Sequence, residues 1–260
     1  MPNGITLSVQ DRVAIITGGS RGIGAATVKM FVAAGARVLF NYRTNRAAAE
    51  RVVSECGRNK DRCAAVEADL RSVESARAFI EQATQRFGGL DILVANHGIW
   101  PPEDVAVDRM TDRQWHDTIA INLDSVFGLV KHAVAQMKKQ ARGGHIVLVS
   151  STAGQRGEAF HCDYAAAKGA VISMVKGLST ELARDLIRVN CVAPGWVATD
   201  MAAPALNDPA TRERVFATIP LRRVATPEEI AAPILFLCSE HAGFITGEIL
   251  NVNGGAVLVG

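Results

Sequence analysis

"IITGGSRGIGAA", residues 15–26, runs from β-branched apolar residues through a cluster of glycines into alanines. Ile15, Ile16 and Thr17 read as the end of a buried strand, Gly18, Gly22 and Gly24 as a tight turn, and the residues after them as the start of a helix. In that order, strand, turn and helix let backbone approach a pyrophosphate closely and point the free N–H groups and positive dipole of a helix N-terminus at it. The coincidence of all three favours dinucleotide binding over a merely structural turn. The G-x-x-x-G-x-G spacing is not the G-x-G-x-x-G of the commoner dinucleotide sites.

Outward from this unit, short apolar runs recur at 12–17, 36–40, 63–68, 91–96, 145–150, 187–193 and 247–252. Between them lie helix-length stretches such as "SVESARAFIEQATQRFG" and "SVFGLVKHAVAQMKKQA", whose apolar positions are three and four apart. Alternating strand and helix implies parallel pairing through right-handed crossovers. The expected fold is therefore α/β: a single-domain, doubly wound Rossmann fold over residues 1–260, with about seven parallel strands and helices on both faces. The least patterned stretch, about 195–226, carries prolines at 204, 209 and 220 and is long enough to serve as a substrate lid.

Composition narrows the function. With 48% hydrophobic residues in 260, the chain can bury one large core, and a formal charge of +2 without a basic block argues against nucleic acid or a polybasic membrane contact. No apolar run is long enough to span a bilayer, and the start "MPNGITLSVQDR" does not read as a targeting signal. Five cysteines without any C-x-x-C suit a reducing cytoplasm better than a disulfide framework, and the histidines show no metal-ligand spacing, so no metal is expected.

Where an NAD site places an acid on the ribose, about 20 residues past the turn, this chain has Tyr42 followed by Arg43. Arg21 projects from the turn itself. Two guanidinium forks with no acid suit a 2′-phosphate, so NADP(H) is the expected cofactor. Further along, "HCDYAAAKGA" at 161–170 sets Lys168 one helical turn after Tyr164, where an ammonium can favour the ionised phenol. Such pairs also occur on solvated surfaces, and spacing alone does not choose between the two.

With these motifs in hand, the chain resembles the short-chain dehydrogenase/reductase family over almost its whole length. The matching strings are "TGGSRGIG" at 17–24, "DL" at 69–70, "NHG" at 96–98, Asn122, Ser151, "YAAAK" at 164–168 and "PG" at 194–195. The resemblance implies a catalytic set of Asn122, Ser151, Tyr164 and Lys168, with Tyr164 as proton donor, Ser151 bonding the substrate oxygen and Asn122 at a helix kink. It further implies a cofactor site of Gly18, Ser20, Arg21, Gly22, Ile23, Gly24, Tyr42, Arg43, Asp69, Leu70, Asn96 and Gly98. Tyr164, Lys168, Pro194, Gly195, Val197 and Thr199 complete that site. His97, Trp100, His161 and Trp196 are candidate substrate contacts.

Within the family, "TGGSRGIG", "DYAAAKGAV", "VNCVAPGWVATDM" and "ITGEILNVNGG" are most similar to 3-oxoacyl-[acyl-carrier-protein] reductases. That likeness implies a ketone substrate held as an acyl thioester and an acidic carrier protein, for which Lys138, Lys139 and Arg142 are candidate contacts. Two departures are Thr180, where a basic carrier contact is expected, and the bulky "NHGIWPPED". The alternatives are a dehydrogenase of a sugar, polyol or other secondary alcohol, and a cofactor-sensing module without turnover. The family also implies a homotetramer built from helices near 111–138 and from Tyr164 onward.

Overall fold

Consecutive residues of a strand point to opposite faces of its sheet, and here both sets are apolar. Ala14, Ile16, Val38, Phe40, Ile92, Val94, Val147 and Val149 bury on one face, and Ile15, Leu39, Leu93, Ala95, Ile146 and Leu148 on the other. A sheet apolar on both sides needs cover on both sides, which is the situation of parallel strands joined by helical crossovers.

The computed structural model, which describes residues 6–259, has this architecture. The first half of the sheet comprises β1 (Val13–Ile16), α1 (Gly22–Ala33), β2 (Arg37–Tyr42), α2 (Arg46–Glu55), β3 (Cys63–Glu67), α3 (Val73–Phe87) and β4 (Ile92–Ala95). Then follow α4 (Asp112–Ile119), α5 (Ser125–Gln140), β5 (Gly144–Val149), α6 (Thr152–Arg156), α7 (Cys162–Leu182) and β6 (Ile187–Pro194). The chain closes with α8 (Ala203–Asn207), α9 (Pro209–Thr218), α10 (Pro227–Cys238) and β7 (Ile249–Val252). All neighbours pair parallel in the order β3-β2-β1-β4-β5-β6-β7. Each of the seven expected strands is present. The last begins two residues late because Gly247, at φ +80°, turns the chain into it.

Residues of α1, α2 and α10, among them Phe31, Val52 and Ile234, bury against one face of the sheet; those of α3, α5 and α7, such as Phe79, Leu129 and Val175, cover the other. The strand order reverses between β1 and β4, so a crevice opens there beyond the carboxyl ends of the strands.

Two expectations change. The 195–226 stretch is not a bare loop but carries α8 and α9, and its ends are stitched together: Ala198 N–H donates to Ala225 O, and Ala225 N–H to Trp196 O. Its prolines punctuate rather than disrupt, since Pro204 and Pro209 sit in first helical turns where no N–H is needed. The basic trio proposed to meet a carrier protein lies at the wrong edge. Because α5 returns against the strand direction, Lys138, Lys139 and Arg142 stand just before β5, at the amino ends of the strands and away from the crevice. Lys138 is paired with Asp185 at 2.8 Å and Arg142 with Asp91 at 2.8 Å.

Candidate active site

The crevice is one cleft of about 750 Å³, running from the glycine turn past Tyr164 to two indoles. Its first half is built from backbone. Gly18 and Gly22 have φ of +66° and +52°, values an L side chain rarely adopts. A Cβ on Gly24 would lie 2.1 Å from Gly18 O, and one on Gly19 would lie 2.6 Å from the Phe40 ring. The turn is tied down by Asn41: Gly18 N–H donates to its Oδ1 at 2.9 Å, and its Nδ2 donates to Ala68 O at 2.9 Å. Arg21, at the N-cap of α1, gives no side-chain cap, so the leading N–H groups of that helix face the cleft without a side-chain acceptor. These features fit a pyrophosphate.

Arg21 and Arg43 both line this end; Arg21 is solvent-exposed and 3.8 Å from Asp200. Asp69 is clamped by Arg71, with Nη2–Oδ2 at 2.6 Å, and that guanidinium holds its carboxyl below the ordinary range. Asn96 Nδ2 donates to Thr17 O at 3.0 Å, joining β4 to β1 at the switch point.

The catalytic candidates converge at the middle. Ser151 caps α6, its Oγ accepting from Ala153 N–H at 3.1 Å, and Tyr164 projects from the first turn of α7. Asp163, fully buried, accepts from Thr118 Oγ1 at 2.8 Å and from Gln114 Nε2 at 3.2 Å, which ties α4 to the start of α7 and so fixes Tyr164. Lys168 is buried, donates to Val149 O at 2.9 Å, and its Nζ lies 5.8 Å from the Tyr164 ring centroid. Burial pushes this ammonium down to about 8.

Burial pushes Tyr164 up to about 12; a hydrogen bond with Ser151 offsets part of this, and the charge of Glu158 adds to it. Desolvation is the largest of these causes, and it favours the neutral phenol.

Asn122 lies in a π-type turn, Ala120–Asp124, and is wholly buried. Its Oδ1 accepts from Ile99 N–H at 3.1 Å while its Nδ2 donates to Ile99 O at 3.0 Å, so it holds the "NHG" turn from behind rather than facing the cleft. A Cβ on Gly98 would lie 2.5 Å from Asn122 Oδ1.

His97 lines the cleft, with Nδ1 2.8 Å from Thr17 Oγ1 and Nε2 2.7 Å from Ser125 Oγ. Ser125 spends its proton on Ile121 O at 2.6 Å, so Nε2 of His97 is the donor and Nδ1 the acceptor. Burial, and then the charge of Lys168, pushes this imidazole down to about 4 and keeps it neutral. His161 is not a cleft residue. It is 2% exposed, stacked on Trp100 with centroids 4.7 Å apart, and 2.9 Å from Pro101 O through Nε2. Trp100 in turn meets Trp196 edge-on at 6.0 Å, and both indoles line the cleft.

A family model described as enoyl-(acyl carrier protein) reductase matches residues 18–257. The chain belongs to the short-chain dehydrogenase/reductase family. It is 38% identical over 253 residues to 3-oxoacyl-[acyl-carrier-protein] reductase FabG of Vibrio cholerae, covering 97% of this chain and all of that one. Identity to the FabG reductase of Salmonella typhimurium is 40% over the same span. A solved short-chain dehydrogenase/reductase from Brucella melitensis, described as a glucose/ribitol dehydrogenase, is 36% identical with a TM-score of 0.89, covering 98% of this chain and all of that one.

Of the residues that the short-chain dehydrogenase/reductase likeness pointed to, all but Asn122 and His161 line the cleft. Sequence reasoning missed Asn41, Gly19, Asp163 and Glu158. The first three act through contacts across the fold that local spacing does not reveal. Glu158 lies between Ser151 and Tyr164, and its position in that loop was the available signal. Among the described residues, no group of His, Cys, Asp and Glu is arranged to hold a metal, and no helix is long and apolar enough to cross a membrane.

Proposed function

We propose that the protein is an NADPH-dependent carbonyl reductase acting on a ketone of the 3-oxoacyl thioester class. The observation that carries this reading is that Ser151, Tyr164 and the buried Lys168 line one cleft whose other half fits a dinucleotide, with Lys168 Nζ 5.8 Å from the Tyr164 ring centroid. The chemistry that NADPH would supply, when held there, is hydride for a carbonyl carbon. The chain's own residues handle the oxygen: Ser151 and Tyr164 orient it by hydrogen bonds, and the Tyr164 hydroxyl holds the proton that a developing alkoxide takes up. Lys168 contributes positive charge behind the phenol. Gly18, Ser20, Gly22, Ile23 and Gly24 would hold the pyrophosphate, Arg21 and Arg43 the 2′-phosphate, and Pro194, Gly195, Val197 and Thr199 the nicotinamide side.

The family model's description concerns a carbon–carbon double bond, whereas the FabG relatives are named for a ketone. Two hydroxyls set for an oxygen acceptor favour the ketone. The segment at 195–226 serves as the substrate lid in this reading, which the presence of its Trp196 and Met201 in the cleft lining supports. A homotetramer is part of this reading, supported by the exposed Trp115 and Phe127 on α4 and α5, which an isolated chain leaves in water.

The test is a panel of ketones followed by NADPH oxidation: ethyl acetoacetate, the N-acetylcysteamine thioester of acetoacetate, and, in reverse with NADP, glucose and ribitol. Thioester reduction faster than polyol oxidation is expected. Rapid polyol oxidation without thioester activity would move the assignment to the sugar dehydrogenases, and a scattering mass of one chain would remove the tetramer.

A further inference from the structure

The substrate end of the cleft carries a carboxylate that the catalytic scheme does not use. Glu158 lies in the loop between Ser151 and Tyr164, half-buried, and lines the cleft with Trp100 and Trp196. It has no ion-pair partner among the described residues. The groups that face it are the indole N–H of Trp100, the neighbouring Arg156 and His161, and Asp104. Arg156 also lines the cleft but is exposed, so water screens its charge. Asp104, itself 3.8 Å from His161, is of the same sign as Glu158. Burial lifts the Glu158 carboxyl above its ordinary value, and its charge reaches the Tyr164 hydroxyl. A carboxylate that acts on the phenol also acts on any charge that a substrate carries beside its carbonyl.

We propose that Glu158 is a specificity-determining residue that makes the substrate end of the cleft reject ketones bearing an anionic group next to the reacting carbonyl and admit neutral ones. The proposal rests on the carbonyl-reductase reading, and it sharpens the substrate class to the neutral ester or thioester of a 3-oxo acid as against the free acid. Arg21, Arg43, Arg51 and Arg71 line the cofactor end together with Glu55, Asp69 and Asp200, while Glu158 lines the far end with the exposed Arg156 and the buried Lys168, and is the one carboxylate beside Trp100 and Trp196 there.

The experiment compares kcat/KM for acetoacetate and for ethyl acetoacetate at pH about 8, in the wild type and in Glu158→Gln. The wild type is expected to favour the ester, and the ester-to-acid ratio is expected to fall by about tenfold or more in the variant, on the scale of a charge pair in partly buried surroundings. NADPH binding, followed by fluorescence, reports whether the variant is folded. Should it fail to fold, Glu158→Ser takes its place, removing the same charge from the same loop position, and the ratio must fall. A ratio indifferent to both changes, or a wild type that reduces acetoacetate as well as its ester, overturns the filter. Ester reduced but thioester refused would instead leave the filter standing and remove the thioester assignment.

Discussion

At the glycine turn the cleft is shaped by backbone, and at its far end by side chains. Around the glycine turn the constraints are steric: Gly18 and Gly22 need positive φ, and Gly19 and Gly24 have no room for a Cβ. At the other end the shape comes from Trp100, wedged between His161 and Trp196, with Glu158 beside its indole N–H. Backbone sites tolerate few substitutions, and the shape of this one fits a pyrophosphate. A side-chain wall on a loop can be replaced without disturbing the sheet, so it is where substrate choice resides.

That contrast can be broken most severely at Gly24. A Cβ there meets a backbone oxygen rather than a flexible side chain, so Gly24→Val should abolish measurable NADPH binding in a fluorescence titration. Binding close to wild type would mean that the turn yields, and the backbone half would not be rigid as described. A smaller change is expected from replacing Arg21 and Arg43 together by Ala. Charge-assisted contacts to the 2′-phosphate should be lost, weakening NADPH relative to NADH by about tenfold or more. Equal weakening of both cofactors would show that the arginines do not read that phosphate.

On the substrate side, Trp196→Ala should raise the KM for a neutral 3-oxo ester on the order of tenfold through lost aromatic contact, with NADPH affinity little altered. A matched loss of cofactor affinity would show the halves to be coupled. The smallest effect concerns His97, which joins β1, the "NHG" turn and α5. Its pKa falls from 6.5 to about 4 in the folded protein, so between those values the unfolded chain binds a proton that the folded chain does not. Stability therefore drops as pH falls through that window. In His97→Gln, Tm should depend less steeply on pH between about 6.5 and 4; a slope as steep as the wild type's would assign the effect to other groups, such as His145, held down at about 3.

The same contrast explains what the sequence discloses. The glycine turn and the seven apolar runs are local patterns, so the fold can be read from them, whereas Ser151, Tyr164 and Lys168 stand out only through the family resemblance that several motifs carry together. Asn41 and Asp163 act on residues at other places in the chain or on other helices, and their roles exist only once β2 meets β3 and α4 meets α7. His161 shares a helix turn with Tyr164 in sequence, yet Pro101 O and the Trp100 ring hold it behind the wall. Lys138, Lys139 and Arg142 look like a docking patch as a string, but the antiparallel return of α5 carries them to the opposite edge of the sheet. The helices α8 and α9 are too short for periodicity to reveal, although Asp208 capping Thr211 N–H at 2.8 Å, with Pro209 next, is a local start signal.

The central claim is that one half of the cleft binds cofactor while Tyr164 at its centre transfers the proton, and Tyr164→Phe tests it most directly. The substitution keeps the ring and removes the hydroxyl that is held protonated near 12. Turnover of the best ketone substrate should fall by about 10²–10⁴-fold, while NADPH affinity, measured on the same preparation, stays within about twofold. Near-normal turnover in a variant that binds NADPH normally would contradict the account, and so would a loss of turnover that is matched by an equal loss of cofactor affinity.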